Sequence, residues 1–469
     1  MKKEQTLLLE TFYYGFGRFG SKIISFFLLP VFTQYLSTSD YGILELINTT
    51  AALVVPLLSF ELFKAMYRYI LDKSEKPWKI YSVSINYILF SSLVFLTMLF
   101  LIVKLDIISY EFIWYVAAMY LLSVFNSFHL QYLRATGNVK AFAVIGIVST
   151  LISAVINIVL IVILHLGYIS IILSSVFTSF LSLLFIIFYF KTYRIYKFYF
   201  DVKLFQKMML YTLPLLPNSM SWWIINLSDR YILKIYKNLD SVGLYSIANK
   251  FVGIYLLFLT IFYSAWQTHA IEYYNDPDRD KYYSKVFAFF IFLQLTIIIA
   301  GIMLIKPVVH IMVDSSFTGS WIYIPILLTG TFFYGLSSFL GTGYLSSKKT
   351  SGAFFTTIYA AAANLLINLL LIPHFGLWAA SFSTLAAYLI LFSIRYFDTK
   401  KYFSLTVNWK IFFIGLLISI LSLVSVLFTP TKTSFVICLS LLVLWIILNK
   451  NLVRSFTILV RGIGKKNVS

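Results

Sequence analysis

A small set of basic residues lies inside or at the ends of long apolar segments of this sequence. A charge in the hydrocarbon core of a bilayer costs about 3 kcal/mol unless it faces water, protein or a ligand. Lysine and arginine side chains so placed could bind an anion and replace the water that its oxygens lose. The set consists of Arg18, Lys22, Lys64, Arg68, Arg230, Lys234 and Lys250.

The spacing within this set predicts shared helix faces. Arg18 and Lys22 are four residues apart, and a helix would carry them about 10 and 17 Å past its start. Glu61, Lys64 and Arg68 are three and four residues apart, so they also share a face. We expect Lys22 and Lys64 to contact an anion. Glu61 would balance the charge of Lys64, and the alternative for Arg68 is an anchor that extends to the headgroups.

A second charged group occurs in LSDRYILKIY, where Asp229 and Arg230 are adjacent. Neighbouring residues on a helix point about 100° apart, so the sequence predicts that these two are poor partners. Arg230 is a candidate anion contact, and Asp229 would balance Lys250, about 12 Å into the next helix. The alternative is that Arg230 and Lys234 are ordinary interface anchors.

Three prolines lie in the first and seventh apolar segments, namely Pro30, Pro214 and Pro217. A proline removes one helical hydrogen bond and permits the helix to bend. We predict that these residues are hinges, and the alternative is that they produce static kinks.

The elements that must position these residues are membrane helices. Of 469 residues 60% are hydrophobic and 12% are charged, against about 25% charged in soluble domains. Apolar runs of about 20 residues occur about fourteen times and lack the alternation of barrel strands. The fold class is therefore all-α, a polytopic membrane protein with about 14 transmembrane helices. The N-terminal MKKEQTLLLE shows no cleavage site, and Cys438 is expected to be a buried apolar residue.

The basic residues also predict the orientation of the chain. If the N-terminus is cytoplasmic, the loops on the other side of the membrane carry only Lys104, Lys237, Lys306 and Lys432, whereas the inside loops carry most of the 37 basic residues. This is the distribution that the positive-inside rule requires. Both termini should face the cytoplasm, and the formal charge of +19 needs no nucleic-acid partner.

The sequence contains an internal repeat. QYLSTSDYGILELIN matches IYKNLDSVGLYSIAN with Gly42 on Gly243, and VINIVLIVILHLGYIS matches LLINLLLIPHFGLWAAS, with Asn157 near Asn368 and Gly167 on Gly376. We predict two six-helix lobes related by a pseudo-two-fold axis along the membrane normal, with a cleft between them. They would comprise residues 1–190 and 208–397, joined by a basic cytoplasmic linker at 191–207 and followed by two additional helices at 409–461.

Four stretches in this order resemble one family of transporters. They are GRFGSKIISFFLLPVFTQYLSTSDYGILEL, HLQYLRATGNVKAFA, YTLPLLPNSMSWWIINLSDRYILKIY with SVGLYSIANKF, and NLLINLLLIPHFGLWAASFSTLAAYLI. Together they resemble the O-antigen (Wzx-type) flippases of the multidrug, oligosaccharidyl-lipid and polysaccharide (MOP) superfamily. Members of that family often have twelve spans, two fewer than the sequence predicts here.

The resemblance implies a V-shaped pair of lobes in the bacterial inner membrane. These would carry an undecaprenyl-pyrophosphate-linked oligosaccharide outward by alternating access, in O-antigen and lipopolysaccharide biosynthesis. Expected partners are this glycan lipid, membrane lipids, a polysaccharide polymerase and chain-length proteins. The expected substrate-binding residues are Arg18, Lys22, Lys64, Arg230 and Lys250.

The sequence gives no sign of a metal, a cofactor or catalysis. It has no HExxH, paired cysteines or GxxxxGK[ST] loop, so transport would be coupled to a proton or sodium gradient or to product removal. One alternative is a membrane polymerase or glycosyltransferase, although the longest outer loop, at about 306–320, is too short for a domain. Another is a drug or cation exporter of the same fold, which would have an acidic lumen.

Overall fold

The computed structural model describes residues 20–73, 75–106, 113–347, 349 and 351–452, and this part of the chain is helical throughout its regular structure. The first half contains helices at residues 20–27 (α1), Leu29–Tyr35 (α2), Thr38–Ser59 (α3), Leu62–Leu71 (α4), Pro77–Lys104 (α5), Ile113–Ala135 (α6), Val139–Ile158 (α7) and Ile169–Tyr189 (α8). The rest contains Val202–Thr212 (α9), Leu215–Tyr236 (α10), Leu239–Glu272 (α11), Arg279–Met312 (α12), Ile324–Ser346 (α13), Ser351–Phe375 (α14), Leu377–Asp398 (α15), Trp409–Phe428 (α16) and Thr431–Leu448 (α17).

Twelve helices of the described part are long and apolar enough to cross a membrane. They correspond to all but the first and seventh of the predicted segments, so the all-α membrane fold is confirmed and the count of fourteen is not. The first segment begins outside the described residues. The seventh, α10, has 22 residues and is long enough to span. Its mean hydropathy is too low for it to be counted among the twelve, because its sequence includes Asn226, Asp229, Arg230 and several serines.

Backbone contacts divide the chain into two compact units. The first contains Met1–Lys234 with Asn238–Gly243, and the second contains Ile235–Lys237 with Leu244–Ser469. Most of α10 therefore groups with the first unit, whereas the predicted lobes divide at the basic linker. The lobe boundaries stay a prediction.

In the first unit the basic linker is fixed to α5 by polar contacts. The Tyr196 hydroxyl donates to Asn86 Oδ1 (2.9 Å), and Asn86 Nδ2 donates to the carbonyl of Tyr199 (3.0 Å). Asp201 then caps α9 by accepting the N–H of Leu204 at 3.0 Å. The linker is thus an ordered segment that packs against the first unit.

In the second unit α13 is the central helix. Nearly all of its side chains are buried, and it packs against α15 and α12. The additional helices α16 and α17 pack against α12, where the fully buried Trp445 donates to the carbonyl of Phe292 (3.3 Å). Cys438 of α17 is buried, as predicted.

Each unit contains the same polar network at matching positions, which supports the internal repeat. In the first unit Ser174 of α8 donates to Asn157 Oδ1 of α7 (2.8 Å). In the second, Ser383 of α15 donates to Asn368 Oδ1 of α14. Glycines with positive φ then precede α8 and α15, Gly167 at 59° and Gly376 at 55°.

Candidate functional site

The second predicted span breaks into α3 and α4 at two residues with left-handed backbone. Phe60 has φ 46° and Glu61 has φ 56°, values that cost a side-chain-bearing residue about 1 kcal/mol. The break is a helix C-cap in which the N–H of Glu61 reaches back to the carbonyl of Pro56 and that of Phe60 to Leu57, both at 3.3 Å. The break turns the chain so that the carboxylate of Glu61 is buried.

Glu61 is the centre of a small polar cluster in the first unit. Its side chain is 2% exposed, and its Oε2 lies 2.6 Å from Lys64 Nζ. Its Oε1 accepts a hydrogen bond from Ser219 of α10 at 2.7 Å. The predicted spacing of Glu61 and Lys64 therefore forms an ion pair, and the lysine remains 44% exposed. Arg68 pairs with Asp72 instead, at 2.8 Å.

The guanidinium of Arg230 lies in a second polar cluster, between α10 and α3. Its Nη1 donates to the carbonyl of Asn226 (2.7 Å) and lies 3.1 Å from Asp229 Oδ1. Its Nε lies 4.0 Å from Glu45 Oε2 on α3. The prediction that Asp229 and Arg230 are poor partners is wrong, because the long arginine side chain folds back along its own helix and bridges the 100° between them.

Arg230 is 5% exposed, so in this conformation it is a buried cation with two carboxylates near it. Two more polar contacts join α10 to α3. Trp223 Nε1 donates to the carbonyl of Thr49 at 2.8 Å, and the hydroxyls of Tyr231 and Thr50 are hydrogen bonded. These contacts hold α10 and α3 together, which is a structural role for Arg230. Its role as an anion contact stays a prediction.

The remaining predicted cations are placed as follows. Arg18 lies outside the described residues. Lys22 on α1 belongs to the first unit and Lys250 on α11 belongs to the second, and each is exposed. The structure thus brings Lys64 to Glu61, whereas the pairing of Asp229 with Lys250 stays a prediction.

The three prolines lie at or beside helix breaks. Pro30 is the second residue of α2, directly after the turn at Leu28. Pro214 lies in the turn between α9 and α10, and Pro217 is in the first turn of α10. Their positions agree with kinks, and their use as hinges stays a prediction.

Three features of these clusters were not predicted from the sequence. The first is Glu45, an acidic residue within the second span. A charged residue in a span is the same signal that singled out Arg230 in the seventh span. Ser219 and the break at Phe60 gave no distinctive signal, since a serine is common in membrane helices and no glycine marks the left-handed turn. Among the described residues no group of histidine, cysteine and carboxylate side chains could hold a metal ion.

Solved structures with a similar arrangement of helices show which fold this chain has. A lipid II flippase MurJ in an inward closed conformation matches 95% of this chain and 100% of its own, with 18% identity and a TM-score of 0.69. An inward-facing multidrug resistance MATE transporter of the MOP superfamily matches 83% and 94%, with 11% identity and a TM-score of 0.66. At these identities the likeness shows the fold, which is that of a MOP transporter.

A third similar structure is a MOP superfamily transporter from Pyrococcus furiosus whose binding pocket is described as having reverse polarity. It matches 84% of this chain and 95% of its own, with 11% identity and a TM-score of 0.61. No curated protein sequence is significantly similar to this chain.

The sequence itself identifies the family. The family model described as polysaccharide biosynthesis protein matches residues 7–267, more than half of the chain. The chain therefore belongs to the polysaccharide biosynthesis protein family and has the fold of MOP transporters, as a multi-pass membrane protein.

Proposed function

We propose that this protein is a flippase for an undecaprenyl-pyrophosphate-linked oligosaccharide, an O-antigen unit or a similar repeat of a surface polysaccharide. Membership of the polysaccharide biosynthesis protein family carries this proposal. A MOP transporter in such a pathway has a chemically suitable cargo in the lipid-linked glycan, which is assembled on one leaflet and used on the other. The similar lipid II flippase, whose name states a lipid cargo, supports the same class.

The cations on the spans would bind the pyrophosphate. Lys22 and Lys64 of the first unit and Lys250 of the second lie within or near membrane helices and are exposed. A charged group exposed there is stable where it faces water or a ligand, so these lysines support a cationic cavity that includes Arg18. Lys64 would exchange its contact with Glu61 for a phosphate oxygen as the substrate arrives.

Alternating access would move this cavity from the cytoplasmic side to the outer side. In the predicted orientation both termini are cytoplasmic, in the bacterial inner membrane, and bending near Pro30, Pro214 and Pro217 would open and close the path. A proton or sodium gradient would supply the driving force. A polysaccharide polymerase with its chain-length proteins would remove the product outside.

The acidic residues of the first unit argue against a cation exporter. Glu45, Glu61 and Asp229 each lie within 4.0 Å of a lysine or arginine, and Glu45 and Asp229 share Arg230. These carboxylates are therefore paired with cations of the protein rather than open to a cationic drug. The connection between α12 and α13 contains a 3₁₀ segment, Ser315–Ile322, which is too short for the acceptor-binding domain of a polymerase.

The test is complementation of a strain that lacks the protein. Arg18→Ala and Lys250→Ala should leave unpolymerised lipid-linked oligosaccharide on the cytoplasmic leaflet, although both variants reach the membrane in normal amounts. Lys432→Ala is the matched control, because Lys432 is exposed at the start of α17 and lies on the predicted outer side. Normal export by both cavity variants would overturn the cationic-cavity assignment.

A further inference from the structure

A polar groove lies at one end of the second unit, where α13 leads into α14 and α15 ends. Its volume is about 1240 Å³. Its polar wall carries the ammonium groups of Lys349 and Lys401 and the hydroxyl groups of Ser346, Ser347 and Ser351. The loop charges predict that this end faces the cytoplasm.

We propose that this groove binds the phosphate headgroup of an anionic phospholipid from the surrounding bilayer. None of the cations assigned to the transport path lines it, since its lining residues all lie within Tyr274–Tyr402 and Lys250, the assigned cation of the second unit, precedes that range. The proposal does not depend on which cargo the protein transports.

The charge balance of the groove is positive. Asp398 is the acidic residue of the lining, and it is already engaged by Lys401 Nζ (2.7 Å) and by the hydroxyl of Tyr344 (2.7 Å). In the described part of the chain, no carboxylate lies within 4.0 Å of Lys349 Nζ. A phosphate would therefore meet at least one ammonium group with no competing internal ion pair.

A buried arginine behind the wall adds to this potential. Arg395 donates from Nε to Thr356 Oγ1 (3.1 Å), and Thr356 itself lines the groove. Its other hydrogen bonds go to neutral acceptors, the carbonyl of Ser337 (3.0 Å) and Thr357 Oγ1 (3.1 Å) among them. Across the described residues no carboxylate comes within 4.0 Å of it. A buried cation balanced only by neutral dipoles favours an anion nearby.

The other wall of the groove suits a lipid tail. Phe355 and Tyr359 follow Ser351 on α14 at intervals of four residues, so the three side chains lie along one helix face. Both aromatic side chains are more than half exposed and line the groove. The stripe continues to the exposed Leu366 and Leu370 farther along α14. A phospholipid would place its headgroup at the polar end and its acyl chains along the apolar stripe. A soluble anion would use only the polar end.

The test uses the full-length protein in mixed micelles, with phosphatidylglycerol as the probe and phosphatidylcholine as the neutral reference. Binding is followed by the rise in thermal unfolding temperature as the fraction of phosphatidylglycerol increases. Lys349→Gln combined with Lys401→Gln should weaken the apparent affinity about 30-fold, because a lysine near a lipid surface contributes about a factor of five. Lys400→Gln is the matched control, because its ammonium lies over the Tyr396 and Phe397 rings, outside the groove.

Equal phosphatidylglycerol binding by the double variant and the Lys400→Gln control would overturn the proposal. Inorganic pyrophosphate and undecaprenyl pyrophosphate are added in separate arms. If pyrophosphate alone raises the unfolding temperature through the same two lysines, the site takes a free anion. If undecaprenyl pyrophosphate binds more tightly than phosphatidylglycerol and displaces it, the groove is a substrate site. Either result would overturn the assignment to a bilayer phospholipid.

Discussion

Gly42 of α3 and Gly243 of α11 lie backbone to backbone in the first unit. A methyl group on Gly42 would overlap the carbonyl oxygen of Leu239, and one on Gly243 would overlap that of Thr38. Leu239 follows Thr38 by the same 201 residues that separate the two glycines. The contact is therefore reciprocal, as it is across a two-fold axis.

The helix caps beside these glycines are also 201 residues apart. Ser37 Oγ accepts the N–H of Asp40 at 3.1 Å, and Asn238 Oδ1 accepts the N–H of Ser241 at 2.8 Å. Each cap begins its helix one turn before the glycine. The short polar cap and the glycine thus act together to bring two helix starts into close contact, in the manner of small residues in membrane helices.

Gly42→Ala should destabilise the protein by about 1–3 kcal/mol, since the added methyl group forces two backbones apart. Thermal unfolding of the purified protein measures this loss. Gly146→Ala is the control in the same unit, because its methyl group would meet nothing within 4 Å. Unfolding temperatures that are equal for the two variants would show that the close contact is not required.

Arg230→Met should destabilise the protein by about 3–5 kcal/mol, because Glu45 and Asp229 would keep buried charges without the guanidinium. The readout is the yield and unfolding temperature of the purified variant, compared with those of Lys432→Met. Adding Glu45→Gln to Arg230→Met should recover part of the loss. If the single variant unfolds like the wild type, the cluster does not stabilise the fold.

Asn157→Leu and Asn368→Leu should have similar effects, because each asparagine accepts from a buried serine on the following helix. Hydrogen bonds between membrane helices contribute about 0.6–1.7 kcal/mol each. Ser440→Ala, on an exposed face of α17, serves as the control. A large loss at one asparagine with none at the other, measured by thermal unfolding, would contradict the equivalence of the two networks.

Pro217→Ala tests whether the break before α10 is a hinge. The variant should insert normally into the membrane and lose most of its transport activity, because an N–H at position 217 could donate to the carbonyl of Leu213, four residues back across the break, and stiffen that break. Transport is measured as export of the lipid-linked glycan, and membrane insertion by immunoblot of the membrane fraction. Unchanged export would leave Pro217 with a static structural role.

The sequence predicted features that follow from local patterns. Apolar runs located the spans, and the i, i+3 spacing of Glu61 and Lys64 gave the ion pair that the structure contains. The repeat was visible because the caps and glycines that start α3 and α11 are local signals. The fold class needed nothing more than these patterns.

What the sequence did not predict depends on tertiary packing. The break at Phe60 and Glu61 has no glycine, so the surrounding helices must offset the cost of its left-handed backbone. The contact of Arg230 with Asp229 depends on a side-chain rotamer, and that with Glu45 depends on how α10 packs on α3. Helix periodicity carries no information on either.

The proposed function is the movement of a pyrophosphate-linked glycan lipid between leaflets. It is tested most directly by reconstituting the purified protein into vesicles that contain a fluorescent undecaprenyl-pyrophosphate oligosaccharide, and then adding a membrane-impermeant quencher. We expect that the inner-leaflet fluorescence also becomes accessible to the quencher, and that Lys64→Gln slows this step whereas Lys432→Gln does not. Fluorescence that stays protected to the same extent as in protein-free vesicles, with a proton or sodium gradient applied, would contradict it.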